Sequence, residues 1–239
     1  RYSWGRYIID KNLDNLDTQA RQVGMTGLIR VALLKRLESS VYALGETCER
    51  MVIGFEGFLQ SLEHGLIPNA DVLSQWIDAD SLDPEEFERI LINNKDTTPV
   101  TGYDVDSLQK DVENDLSLIV ELRDMCKAID CEMDSKLNQL VDELKRIIRE
   151  AEKDGKTDAE KVNNRKVLLF SYFEDTLNWI QPFLEKKIAS DAELAPYRDR
   201  VVSVSGTSKS HGITREKAVF GFAPISTDAP PGQIGRAHV

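Results

Sequence analysis

Gly155-Lys156-Thr157 are the last letters of a phosphate-binding G-x-x-x-x-G-K-[ST] loop, in which backbone N–H groups cradle phosphates and the lysine reaches the outer ones. Glu150 stands where the first glycine is needed, and a helical pattern rather than a strand precedes it. A helix stop followed by a new N-cap accounts for the same residues. No D-E-x-x box after a buried strand offers Mg²⁺ a ligand set, so the chain by itself is expected neither to cradle nor to hydrolyse ATP. Cys48, Cys126 and Cys131 fall on apolar stripes of predicted helices without a C-x-x-C pair, and read as buried structural thiols. His64, His211 and His238 lack metal-ligand spacing, so no metal site is expected. Residues 166–180, KVLLFSYFEDTLNWI, suggest a different chemistry: four apolar residues, Val167 to Phe170, run through Ser171 into an amphipathic stretch opening with Glu174 and Asp175. A short buried strand, a serine turn and a helix are how α/β domains present a functional turn; in many such turns the serine only caps the helix.

The elements that must hold these residues follow from hydrophobic spacing. Leu37, Val41, Leu44, Cys48, Val52, Phe55, Leu59 and Leu62 recur about every 3.6 residues, one buried helical face that Gly65 and Pro68 end. A second run from Val105 to Ile147 steps by about 3.5 residues, with no Gly or Pro between Tyr103 and Asp154. Two helices of this length, each ~70 Å if unbroken, are expected to pack as an antiparallel hairpin. Between them, residues 71–104 read as one or two short helices and a loop, with Trp76, Ile77, Phe87, Ile90 and Leu91 as a small cap core, or else as a disordered acidic tip. After Gly155 the pattern changes: Val167–Phe170 and Val201–Val204 read as parallel strands around a helix from Glu174 to about Lys187, a right-handed β-α-β unit.

The 239 residues, 41% hydrophobic and 30% charged, suffice for a substantial core. No run of 18 apolar residues occurs and RYSWGRYIID is not a signal peptide, so the expectation is a cytoplasmic protein without membrane contact, beginning inside a longer chain. Net charge is −11, and residues 71–115 hold 13 Asp/Glu against 3 Lys/Arg. That segment repels phosphates and suits a basic protein partner instead.

Three segments carry a family likeness. Gly27-Leu28-Ile29-Arg30 with LLKRLESS (33–40), DSKLNQLVDEL (134–144) leading to KVLLFSYFEDTLNWI, and VVSVSGTSKSHGITREKAVFGFAP (201–224) together resemble the Swi/Snf-related branch of superfamily-two helicases and DNA translocases, in the same order. The likeness covers most of residues 20–230 outside the hairpin tip, and LLKRLESS is its most specific part. It implies an α/β fold with a long helical hairpin insertion and a partial RecA-like parallel sheet at the C-terminal end, mostly helical overall. It also implies that Ser171 and its turn face nucleic-acid backbone, where a hydroxyl and helix-start N–H groups bind phosphate. Ser205, Gly206 and Thr207 form the matching second turn, with Gly206 permitting close backbone approach. Arg215, in an R-x-x-x-V-x-x-F pattern, supplies charge or pairs with a neighbouring acid. Lys35 and Arg36 couple the two motor lobes; on spacing alone they are the solvated face of a helix whose core stripe includes Leu33 and Leu37.

The likeness further implies a division into a helical connector and first hairpin helix (1–65), an acidic tip (66–104), a return helix (105–160) and part of the second motor lobe (161–232). The final QIGRAHV does not fit: IGRAHV is the translation of ATC GGA AGA GCA CAC GTC, which resembles a sequencing adapter, so residues 233–239 are expected to be non-native. Gly235-Arg236 is therefore not read as the family's arginine motif. The expected function is part of an ATP-dependent DNA translocase or helicase acting on double-stranded DNA with ATP and Mg²⁺ in the parent protein, this part alone being inactive and binding neither. The alternative is a coiled-coil interaction or scaffold protein without motor activity, resting on the 3.5-residue period and the acidic tip.

Overall fold

Ser40 ends one helix and begins the next. Its backbone is extended, at φ −160° and ψ 155°, and its Oγ accepts a hydrogen bond from the Ala43 N–H at 3.0 Å, the geometry of an N-cap. Residues 30–39 before it are helix α1 and Val41–Glu63 after it are α2. This break removes Leu37 from the expected core stripe: it is 45% exposed, and the buried face of α2 runs through Leu44, Cys48, Val52, Phe58 and Leu62. The computed structural model describes residues 7–9, 30–68, 98–204, 215–223 and 227. The chain divides into two units, Arg1–Ala128 and Ile129–Val239.

In the first unit α2 stops at His64, and Gly65 takes φ +74°, a left-handed turn that a side chain would strain. The chain continues into β1, Leu66–Ile67, which pairs antiparallel with β2, Thr98–Pro99. Asp104 caps α3, Val105–Lys127. Phe58 and Leu62 near the end of α2 pack with Leu108 and Val112 near the start of α3, while Leu44 and Cys48 meet Cys126 at the other end. The expected antiparallel hairpin is therefore formed, with 23 residues in each helix, or ~35 Å instead of ~70 Å. Residues 7–9 lie at the end of the hairpin next to β1 and β2, where Ile9 N–H donates to Gly102 C=O at 2.7 Å and the buried Tyr7 hydroxyl donates to Asp111 Oδ2 at 2.6 Å. The expected cap core of Trp76, Ile77, Phe87, Ile90 and Leu91 lies outside the described residues.

The expected long return helix is two helices. After Lys127 the chain turns, and α4 begins afresh as Ser135–Asp154. Aspartates compete with helical hydrogen bonds here: Asp130 Oδ1 accepts from Met133 N–H at 2.9 Å, and Asp134 Oδ1 accepts from Lys136 N–H at 2.9 Å and Leu137 N–H at 3.3 Å. Cys131 falls in this turn and is half-buried. The boundary between the two units thus lies inside the segment expected as one return helix.

In the second unit α4 is followed by α5, Asp158–Asn164, by α6, Glu174–Ser190, by a short 3-10 turn, Ala192–Tyr197, and by α7, Arg215–Phe222. Leu137, Val141, Leu144 and Ile148 of α4 pack against Phe183, Leu184 and Ile188 of α6 and against Leu194. Asp134 joins the same two helices by a polar route: besides capping α4, its Oδ2 accepts from Trp179 Nε1 at 2.9 Å. Lys145–Asp191 at 2.6 Å and Glu132 with Lys186 at 2.9 Å and Lys187 at 2.6 Å reinforce the contact at the surface.

The protein is mostly helical. Among the described residues the sheet is the pair β1–β2, and Val167–Phe170 and Val201–Val204, expected as parallel strands, form no ladder with each other. Among the described residues these two segments have no strand partner in a ladder, and Val204 is in an isolated bridge; two such short segments do not by themselves sustain a sheet. No helix among the described residues is long and apolar enough to cross a membrane.

Removing the Asp134 carboxylate leaves two helix N–H groups and a half-buried indole N–H without their acceptor. Asp134→Ala is expected to lower the stability of the second unit by about 1–3 kcal/mol. Urea unfolding followed by Trp179 fluorescence, in a chain with Trp4 and Trp76 replaced by Phe, measures it.

Candidate nucleic-acid interface

Ser171 stands where the extended segment Val167–Phe170 gives way to α6. Its Oγ donates to the Phe173 C=O at 2.9 Å and accepts from the Phe173 N–H at 3.2 Å, so the side chain closes a local turn before the helix. Phe173 occupies the cap position without a side-chain cap bond, and the first turn of α6 carries Glu174 and Asp175. These carboxylates already offset the positive end of the helix. The first-turn N–H groups of α6 are therefore poorer phosphate donors than the strand-serine-helix pattern implies, and any phosphate contact here rests on the Ser171 hydroxyl and on neighbouring cations.

The second extended segment, Val201–Val204, is positioned by the 3-10 turn and by Asp199, whose φ of +59° is the left-handed conformation that Asp tolerates better than most residues. Ser203 Oγ donates to Gln181 Oε1, which ties this segment to α6. Tyr197 donates from its hydroxyl to the Arg165 C=O at 2.9 Å, and burial pushes its phenol up to about 12, so it remains a neutral donor. The two extended segments line one cavity of about 240 Å³, which Ser171, Tyr197 and Arg200 also border. Arg200 is half-buried and has no ion pair among the described residues. Spacing gave no reason to select it, because its place at the cavity comes from the turn at Asp199.

Arg215 is the exposed first residue of α7 and makes no ion pair among the described residues. The other end of that helix is fastened by Lys166, whose Nζ donates to the Phe222 C=O at 2.7 Å and lies 5.8 Å from its ring centroid. Arg215 thus sits about 10 Å along the helix from that anchor and shares no hydrogen bond with Ser171 among the described residues. Ser205, Gly206 and Thr207 lie outside the described residues. Lys35 and Arg36 lie on α1 in the first unit; Lys35 is exposed and Arg36 half-buried.

The loop with phosphate-binding letters has another occupation. Gly155 ends α4, Thr157 caps α5, and Glu160 Oε2 accepts from the N–H groups of Lys156 at 2.7 Å and Thr157 at 3.3 Å. A reciprocal capping box thus consumes the donors that a phosphate-binding loop would aim at its ligand. A Cβ on Gly155 would lie 2.6 Å from Lys161 Cγ and 2.8 Å from the Ala151 carbonyl oxygen, so the glycine serves close packing. Among the described residues no group of His, Cys, Asp or Glu could hold a metal ion.

The chain matches no family model, no curated protein and no solved structure. Its functional reading therefore rests on its own residues.

Because the hydrogen bonds of the Ser171 hydroxyl with Phe173 are local, Ser171→Ala is expected to cost only about 0.5–1.5 kcal/mol. The far-UV spectrum should be unchanged, and urea titration reads the loss.

Proposed function

We propose that this chain is part of an ATP-driven, Swi/Snf-like DNA translocase or helicase, contributing helices that join the motor lobes and the opening portion of the lobe that grips duplex DNA. One observation supports this reading above the others. The DSKLNQL helix packs beneath an extended segment, serine turn, helix and second extended segment that follow in the order of the family motifs. On this reading Val167–Phe170 and Val201–Val204 are two strands of a RecA-like parallel sheet that this chain holds only in part. Ser171 offers its hydroxyl, and Arg215 its charge, to phosphates of the DNA backbone. Lys35 and Arg36 couple the lobes.

ATP and Mg²⁺ supply the driving reaction in such a motor. The described residues do not fit them, since Glu160 takes the N–H groups of the Gly155-Lys156-Thr157 loop and Glu150 replaces its first glycine. No step through nucleotide is assigned to these residues, and the purified chain is expected to release no phosphate from ATP, with or without DNA. Turnover above background that persists through a second purification step would contradict this assignment.

The grip is tested by fluorescence anisotropy with a labelled DNA duplex. Binding is expected to weaken linearly on a logarithmic salt axis, and the Ser171→Ala, Arg215→Ala double variant to weaken it about equally for unrelated sequences, reducing the salt slope by about 1. Binding that ignores salt, or a double variant indistinguishable from the parent, would sink the DNA reading. A helical interaction scaffold is the second reading, and a specific feature favours it: Val31, Leu34 and Leu37 on α1 are 50%, 52% and 45% exposed. Capture of a basic protein without salt-sensitive DNA binding would select the scaffold.

A further inference from the structure

Cys48 and Cys126 meet across the seam of the hairpin. Both are buried free thiols, 0% and 8% exposed, and with Leu44 they form the apolar cluster of α2 and α3 against which Leu33 of α1 packs. Gly45 brings them together. A Cβ built there would lie 3.2 Å from the Cys126 Cβ, so the missing side chain admits Cys126 to the surface of α2, one turn before Cys48 on the same buried face. The residues that follow the two cysteines hold this register: Glu49 Oε2 pairs with Lys127 Nζ at 2.6 Å, and with Arg123 Nε at 3.6 Å. A disulfide needs Cβ atoms about 3.5–4.5 Å apart, a separation that a seam this close brings within reach.

Burial makes the pair slow to react. It pushes the Cys48 thiol up to about 11 and raises that of Cys126 as well, so both stay protonated in the closed hairpin, whereas the thiolate is the form that reacts. Cys126 is the one that opens. It stands next to the last residue of α3, and helix ends fray while residues further inside a packed helix, such as Cys48 in α2, stay closed.

We propose that Cys48 and Cys126 form an oxidative lock: on exposure to a low-molecular-weight disulfide they join in a bond that ties α2 to α3. Cys126 gives up its proton, and its thiolate attacks one sulfur of oxidised glutathione, expelling a glutathione thiolate that takes the proton up. Cys48 then loses its proton, attacks the Cys126 sulfur of the mixed disulfide and expels the second glutathione. Two electrons and two protons pass to oxidised glutathione; one S–S bond forms in the protein and two reduced glutathiones leave. Because the bond closes a long loop, it stabilises the hairpin against unfolding. Slow entry means that the lock answers sustained oxidation and ignores a brief pulse. It needs none of the residues assigned to DNA, so it stands or falls separately from that reading.

The test uses the full chain with Cys131→Ser, which removes the third thiol, held with millimolar oxidised glutathione in the absence of denaturant. The intact mass is expected to fall by two hydrogen atoms, and a tryptic digest without reductant to hold the Cys48 and Cys126 peptides joined. Hydrogen exchange across α2 and α3 should slow about tenfold or more, return with dithiothreitol and leave α4 unchanged. Adding Cys48→Ser should leave glutathione on Cys126, whereas adding Cys126→Ser should leave Cys48 unmodified; circular dichroism checks that both variants keep their helices. An unchanged mass, glutathione adducts that persist when both cysteines are present, two chains joined through Cys126, or a link that forms only in urea overturns the proposal. So does a link that leaves α2 and α3 exchanging as fast as in the reduced chain.

Discussion

The carboxylate of Asp134 holds the second unit to its geometry. One oxygen closes the first turn of α4 and the other takes the Trp179 indole N–H from α6, so a group only 8% exposed meets three donors at once. A buried carboxylate is tolerable only with such partners. Their positions fix where α4 starts and where along it α6 may lie. Everything at the candidate interface inherits that placement: α6 carries Ser171 at its entrance, the 3-10 turn after it delivers Arg200, and the apolar faces of both helices form the wall between the two extended segments.

Both units combine an apolar seam with ion pairs beside it. The hairpin is an apolar seam with small or sulfur-bearing residues at one end, where Cys48 and Cys126 are buried and burial pushes the Cys48 thiol up to about 11, far from reactive. Both units add ion pairs at the seam: Glu49 of α2 pairs with Lys127 of α3 at 2.6 Å in the hairpin, and Lys145 with Asp191 at 2.6 Å in the second unit. Glu132 and Asp191 are held below the ordinary carboxyl range by hydrogen bonds from Lys187 and Lys145 respectively. These pairs are partly exposed and screened, and they set register more than stability. The apolar contact of α4 with α6 therefore dominates the second unit, and the two extended segments lie on the side that this contact does not cover.

Much of the helical content was legible because burial leaves a period. The α2 stripe was read at Leu44, Cys48, Val52 and Leu62 but not at the buried Phe58, and the capping box at Thr157 and Glu160 was foreshadowed by a helix stop followed by a new cap. The break between α3 and α4 was not legible from periodicity, since Cys126, Ile129, Met133 and Leu137 keep near-helical spacing straight through the turn. The informative residues were Asp130 and Asp134, whose side chains bond the local backbone. Leu37 was misassigned for a related reason: Ser40 resets the helix, and a stripe counted across a cap loses its face. At the candidate site, Ser171 was picked out by a local pattern. Arg200 was invisible because only the left-handed backbone at Asp199 and the packing of the turn bring it to the cavity.

The hairpin's connectivity has a consequence for synthesis on the ribosome. Helix α2 ends at Glu63 and its packing partner α3 ends at Lys127, separated by a long excursion. At ordinary elongation rates the nascent chain carries α2 for roughly 3 to 13 seconds before α3 is complete. During that interval Val52, Phe58 and Leu62 have no helix to cover them, which makes the early half of the chain a natural client for holdase chaperones. The α4–α6 core, whose two helices are joined by far fewer residues, closes soon after its own last turn is made.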